Sequence, residues 1–345
     1  MTKSGLDNTH HSNQIIVEGV KLLIIATIPL HSFALFLNTP SGQVDYLEFA
    51  KFFCQFIGLG AFAVVSKHVQ LIIIRTLILI LTVHIILAVA LTYDELNYFL
   101  TRDPSRPRIV FLGLGRTPGD TAQAFTALFI VSVLFAKNAS RAKKIFLQIL
   151  RIVAFIMVGL TQTRTMMLVL LIFLTGIFLE KFGYLKIKSY LFILLLFLTL
   201  PIVFATSDPA ALSKISSGRY DLWVAFLNDF SQRDVLDFWF STDLSRREVV
   251  VPEMNYETSD VHNTFFDIMN YFGLFGLILV VLFYLISTRC FNSNISLIVF
   301  LSYLPVLFLS CAFKYPGTFY VSLLFLMLPI YFSSAGRSKH DYQNI

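Results

Sequence analysis

Residues 137–181 read KNASRAKKIFLQILRIVAFIMVGLTQTRTMMLVLLIFLTGIFLEK. The stretch opens with Lys137, Arg141, Lys143 and Lys144 and closes with Lys181. Between these charges lie two apolar runs, 145–162 and 165–180, separated only by the segment around Gln162 to Arg164. A membrane span needs about 20 mostly apolar residues. Two such runs joined by so short a link make a helix that crosses a bilayer, a tight turn and a helix that crosses back. The basic groups then mark one side of the membrane and Arg164 the other.

The rest of the chain repeats the pattern. Apolar runs predict ten spans, at 22–37, 46–66, 71–91, 121–136, 145–162, 165–180, 190–206, 271–288, 295–313 and 317–333. The 345 residues are 56% hydrophobic and only 14% charged, with mean hydropathy +0.73. Soluble domains carry about 25% charged residues, so a soluble enzyme, a disordered chain, a fibrous protein and a nucleic-acid binder are excluded. The expectation is an all-α polytopic membrane protein, one membrane domain over 1–345. Cys54, Cys290 and Cys311 are widely spaced in or beside apolar runs, which indicates neither a disulfide frame nor a zinc site. No A-x-A-like cleavage site follows the first apolar run, so no removable signal peptide is expected.

Charge orients the spans. With both termini inside, the inner segments and adjoining helix ends hold 15 basic residues and four acids; the other 12 basic and 17 acidic residues fall outside, which reproduces the chain's +6. The excess of Lys and Arg on one side predicts cytoplasmic termini. Two long segments then face outward, 92–120 and the large loop 207–270.

Basic groups also mark the outer ends of helices. Arg116 stands in GLGRTPGD before the fourth span, and Arg164 in LTQTRTMM between the fifth and sixth. The sixth run is short, so Arg164 is expected at or slightly below the outer interface, where an arginine is costly unless it pairs. It either snorkels to headgroups or clamps a lipid-borne anion, whose phosphate oxygens a guanidinium holds bidentately. Arg219 stands in SSGRYDLW, where Leu222, Trp223, Phe226, Leu227 and Phe230 recur at helical spacing. Ser217 as N-cap would put Arg219 in the first turn, near an end that favours anions. A loop helix lying on the membrane is the other reading. His262 precedes Asn263, an N-cap for a helix through 288 whose first two turns, to Asn270, are expected to project above or along the interface. It is either a surface histidine or a base. His31 and His84, inside apolar runs, are expected to be packed core residues.

Several arginines and a histidine on one face suit a ligand with phosphates and a hydroxyl to activate. A polyprenyl-diphosphate sugar has the phosphates, and an acceptor sugar has the hydroxyl. The arginines would stabilise the leaving diphosphate while the base takes the hydroxyl proton. There is no D-x-D in the chain, so cations would stand where other membrane transferases use a metal. The competing classes are a lipid-linked sugar transporter, which would place ionisable groups near mid-membrane in repeated halves, and a scaffold without chemistry.

These residues resemble the superfamily of bacterial O-antigen ligases and O-antigen polymerases. The likeness runs over about 110–330. It is carried by Arg116-Thr117-Pro118-Gly119 before a helix, Thr161-Gln162-Thr163-Arg164 opening one, Gly218-Arg219 with Trp223 in the large loop, and His262-Asn263 with Gly273 and Gly276. The resemblance implies a GT-C-type helical fold in the bacterial inner membrane, with the site on the periplasmic face and no cofactor or metal. It implies an undecaprenyl-diphosphate-linked glycan donor, held by Arg164 and Arg219, with His262 as base or acceptor-orienting group. Arg116, Asn263 and Lys314 (in AFKYPGTF) are added as substrate-binding residues. The acceptor would be lipid A–core for a ligase or a second lipid-linked glycan for a polymerase. TPGDTAQAF and LTQTR look slightly nearer the ligases. Family members commonly have about twelve spans, against ten read here.

Overall fold

The computed structural model describes residues 46–94, 117–136, 139–182, 219–241, 249–251, 256–258, 263–288, 293–309 and 319–335, with eight positions between 19 and 35, all helical. The helices are α1 (Tyr46–Val64), α2 (Lys67–Leu91), α3 (Pro118–Leu134), α4 (Arg141–Thr161) and α5 (Arg164–Lys181). They continue with α6 (Arg219–Ser231), α7 (Val235–Phe240), α8 (Thr264–Ser287), α9 (Asn294–Leu309) and α10 (Phe319–Ala335). Eight of the ten expected spans thus appear as helices. The run at 190–206 lies outside the described residues, and that at 22–37 is described only at scattered positions. By length and composition α2, α4 and α8 can each cross a membrane, and α1, α9 and α10 contain shorter apolar helices. One element was not foreseen. β1 (Val249–Val251) pairs antiparallel with β2 (Tyr256–Thr258), Val250 opposite Glu257, and β1 packs beside α6.

The pattern of exposure is that of a protein in an apolar solvent. Helix α3 is buried on every side from Asp120 to Ser132. Gln123 settles its amide inside the bundle, Nε2 donating to Tyr303 Oη and to Ser322 Oγ, both at 3.1 Å, whereas the buried Thr126 Oγ1 has no hydrogen-bond partner among the described residues. Conversely, α2 and α4 leave Leu79, Ile86, Ile149, Ile152 and Phe155 exposed. Water would penalise such a surface at roughly 25 cal/mol per Å²; lipid tails do not.

Side-chain pairs give the helix directions. Phe265–Phe308 and Tyr284–Phe300 meet with tilted rings at 4.9 and 5.1 Å, so α8 and α9 run antiparallel. Tyr303–Phe325 at 4.4 Å and Ser296 Oγ donating to Pro329 O at 2.7 Å make α9 and α10 antiparallel. Gln123–Ser322 and Phe135–Phe332 make α3 and α10 parallel. Phe129–Phe155 and Arg151 Nη2 donating to Ser132 O at 2.7 Å make α3 and α4 antiparallel. The starts of α3, α5, α8 and α10 and the ends of α4 and α9 therefore share one end of the bundle. Arg141, Lys143, Lys144 and Lys181 stand at the opposite end. So does Lys67, because His84, 17 residues further along α2, meets Tyr320 at the start of α10, about 25 Å away along the helix.

The turn between α4 and α5 is as tight as the sequence suggested. Gln162 ends α4 in the left-handed region (φ 52°), and Thr163 is the residue before α5. The two helices then part company. Helix α4 packs on α3, and α5 packs chiefly on α9.

Helix α8 kinks at Gly273 (φ 69°, ψ −176°), a conformation open essentially only to glycine. A Cβ there would lie 2.5 Å from Trp239 O and 2.7 Å from Phe240 N, so the glycine also admits the backbone of α7 against α8. Gly159 in α4 has nothing within 4 Å of an added Cβ. Gly273→Ala is expected to destabilise by about 1–3 kcal/mol from backbone strain alone, whereas Gly159→Ala is expected to stabilise by up to about 1 kcal/mol. Thermal unfolding in detergent, followed by helical circular dichroism, checks the pair; equal losses would contradict the assignment.

Candidate functional site

The end of the bundle that gathers the starts of α3, α5 and α8 is built by local sequence rules. Thr117 and Asp120 form a capping box at the start of α3. Thr117 Oγ1 accepts from Asp120 N at 3.3 Å, and Thr117 N donates to Asp120 Oδ2 at 3.1 Å, with Pro118 at the first helical position. The segment Thr117-Pro118-Gly119-Asp120, read above as part of an arginine motif, is thus a complete helix start. Asn263 caps α8 as expected, its Oδ1 accepting from Phe265 N and Phe266 N at 3.0 and 3.3 Å.

Arg164 is the first residue of α5 and is exposed. No acidic side chain stands in that first turn, and Thr163 makes no side-chain cap. Arg219 is the first residue of α6 and is half-buried. The sequence reading placed it in a first turn, and that is where it lies; Ser217 lies outside the described residues. Among the described residues neither guanidinium has a hydrogen-bond or ion-pair partner. A cation at a helix N-terminus meets the positive end of the macrodipole, at a cost of roughly 0.3–1 kcal/mol. An anion bound there removes that cost and uses the free donors.

Helix α6 docks on the first turns of α8. Leu222, Phe226 and Phe230, one residue per turn, form the buried stripe; Phe226 stacks on Phe266 at 5.0 Å, and Trp223 meets it edge-on at 6.3 Å. Leu227, which recurs at the same helical spacing, is exposed. At 100° per residue Leu227 lies off the narrow stripe at 222, 226 and 230, which α8 and Phe238 of α7 cover. This docking brings the helix of Arg219 to the helix capped by Asn263, at the bundle end that also holds Arg164. Arg116, His262 and Lys314 lie outside the described residues, as do His31, Cys290 and Cys311. Cys54 is exposed and free, and His84 pairs with Tyr320 Oη at 2.5 Å.

Arg233 was not singled out from the sequence. Its side chain is only 5% exposed. Nη2 donates to Asp229 Oδ2 at 2.9 Å and to Asn270 Oδ1 at 2.7 Å, and Nε lies 3.9 Å from Asp237 Oδ2. The guanidinium sits over the Phe230 ring at 4.9 Å and the Phe226 ring at 5.9 Å. Asp229, Arg233 and Asp237 follow at intervals of four, a visible signal for an acid–arginine–acid ladder. What that spacing hides is Asn270, 37 residues away, through which the ladder ties the α6–α7 elbow to α8.

No family model matches the chain, and no curated protein or solved structure does either.

Arg233→Ala removes the buried guanidinium that bonds Asp229 and Asn270 and faces Asp237. Breaking a buried pair costs about 3 kcal/mol or more, so local opening of the elbow should rise about a hundredfold. Limited proteolysis between Ser231 and Ser241 should accelerate accordingly while the bundle melts near its usual temperature. An unchanged cleavage rate would refute the tie.

Proposed function

We propose that this protein is a membrane glycosyltransferase that moves a glycan from an undecaprenyl-diphosphate carrier onto lipid A–core, as O-antigen ligases do. One observation carries the reading. Arg164 and Arg219 open helices at the same end of the bundle, without protein partners among the described residues, beside the helix whose cap is Asn263. The opposite end, with Lys67, Arg141, Lys143, Lys144 and Lys181, is the basic one. The positive-inside rule makes that end cytoplasmic and the arginine end periplasmic.

The chemistry follows from these positions. Arg164 and Arg219 hold the diphosphate oxygens, and Arg116 and Lys314 add positive charge around them. The acceptor hydroxyl attacks the anomeric carbon opposite the diphosphate. The C–O bond to the diphosphate breaks as the new glycosidic bond forms, which inverts the configuration. His262, next in the chain to the Asn263 cap, takes the hydroxyl proton. The arginines stabilise the charge growing on the leaving diphosphate. The site uses no metal. A polymerase would run the same step on a second carrier-linked glycan.

His262→Ala is expected to abolish transfer in proteoliposomes while donor binding stays intact; near-normal turnover would remove His262 as the base. Arg164→Ala and Arg219→Ala are expected to weaken donor binding about ten- to a hundredfold each, from loss of charge-assisted bonds of about 1.5–3 kcal/mol. Unchanged donor affinity in both variants would sink the clamp. Transfer should persist in EDTA. Product analysis with and without lipid A–core separates ligase from polymerase: glycan on lipid A–core establishes the first, longer carrier-linked chains without it the second.

A further inference from the structure

Helix α7 is amphipathic in the sense opposite to that of a loop in water. Its sequence is VLDFWF. Asp237 is the buried residue, whereas Val235 and Leu236 are 74% and 66% exposed and Trp239 and Phe240 about as open as a surface residue. Water favours the reverse arrangement.

This apolar surface does not stop at α7. On α6 it continues through Val224 and Leu227, on the side away from α8. On α8 it continues below the kink through Ile278, Val281, Leu282 and Leu285, all exposed. Phe240 joins the two parts by packing on Phe275 at 5.3 Å. Since α8 is long and apolar enough to cross a membrane, its exposed side is a lipid-facing surface, and α7 extends it.

The level of the elbow agrees. Below Gly273, α8 runs from 274 to 287, about 21 Å at 1.5 Å per residue, against a hydrocarbon core of about 30 Å. The backbone of Trp239 and Phe240 touches Gly273. For a helix that crosses the bilayer, that level lies within reach of the acyl chains. A charge so placed has to be paired, and Arg233 is enclosed by Asp229, Asp237, Asn270 and two rings.

We propose that α7 is a membrane-embedded elbow, whose Val235, Leu236, Trp239 and Phe240 take the acyl chains of the bilayer leaflet on the Arg164 side. The elbow anchors α6 from its C-terminal end. Helix α6 is 13 residues, about 20 Å long, so Arg219 is held within that distance of the lipid surface. The proposal rests on α8 crossing a membrane and not on glycosyl transfer.

The chain has two tryptophans, Trp223 and Trp239. Trp223→Phe leaves Trp239 as the only indole. In vesicles of phosphatidylcholine brominated on the upper acyl chain, that variant should lose most of its tryptophan emission relative to unbrominated vesicles, while aqueous acrylamide should quench it weakly. The difference between the intact chain and Trp239→Phe must give the same result, which guards against a fold change in the first variant. Strong acrylamide quenching with no effect of the brominated lipid would place α7 in water and overturn the proposal. Emission immune to both quenchers would mean that protein covers the surface, a second copy included, and would overturn it equally.

Discussion

Hydrocarbon offers no hydrogen-bond partner, so a helix that crosses it has to settle its polar side chains against its neighbours. Much of the architecture follows from that. Helix α3 carries Asp120, Thr121, Gln123, Thr126 and Ser132 and is enclosed on all sides. Gln123 reaches Tyr303 on α9 and Ser322 on α10, so one amide ties three helices. Ser296 reaches the Pro329 carbonyl in α10, and Ser333 reaches the Thr288 carbonyl at the end of α8. These bonds pin helices that have no hydrophobic reason to prefer each other over lipid.

The same constraint shapes the loop helices. Arg233 is a permanent cation with little exposure. The structure surrounds it with two aspartates, an asparagine and two aromatic faces, which serve Nη2 and Nε and leave Nη1 without a hydrogen bond among the described residues. The consequence is a corner in which α6, α7 and the first turns of α8 are tied through one guanidinium and one aromatic cluster. Gly273 makes that corner fit, because a side chain there would strike the α7 backbone. Arg219 inherits its position from this corner. Arg164 inherits its own from the α4–α5 turn. Two unrelated pieces of chain thus present cations at one end of the bundle, where a lipid-borne diphosphate would meet them.

Most helices were legible in the sequence, because hydropathy reports directly on the solvent that a segment faces. Asn263 was legible as a cap for the same local reason: its side chain serves amides two and three residues away. The Gly273 and Gly276 pair was read as part of a motif, and its physical meaning, a kink and a close approach, emerged only with α7 in place. Periodicity grouped Leu227 with Leu222, Phe226 and Phe230, because helical spacing defines a face but not its width. Arg233 went unremarked because its decisive partner, Asn270, is distant in sequence, and a pairwise spacing rule sees only the near aspartates.

The sequence by itself determined that this chain belongs in a membrane, where its helices run, which end of them is basic and which residues open them. Those are properties of composition and of contacts within one or two turns. Tertiary structure alone decided that α4 and α5 separate onto different partners, that α3 is the enclosed helix, that α6 lies on α8 and that α7 turns its apolar side outward. Each of these depends on which surfaces meet across long stretches of chain, and shape and buried hydrogen bonding choose among partners that hydropathy treats alike.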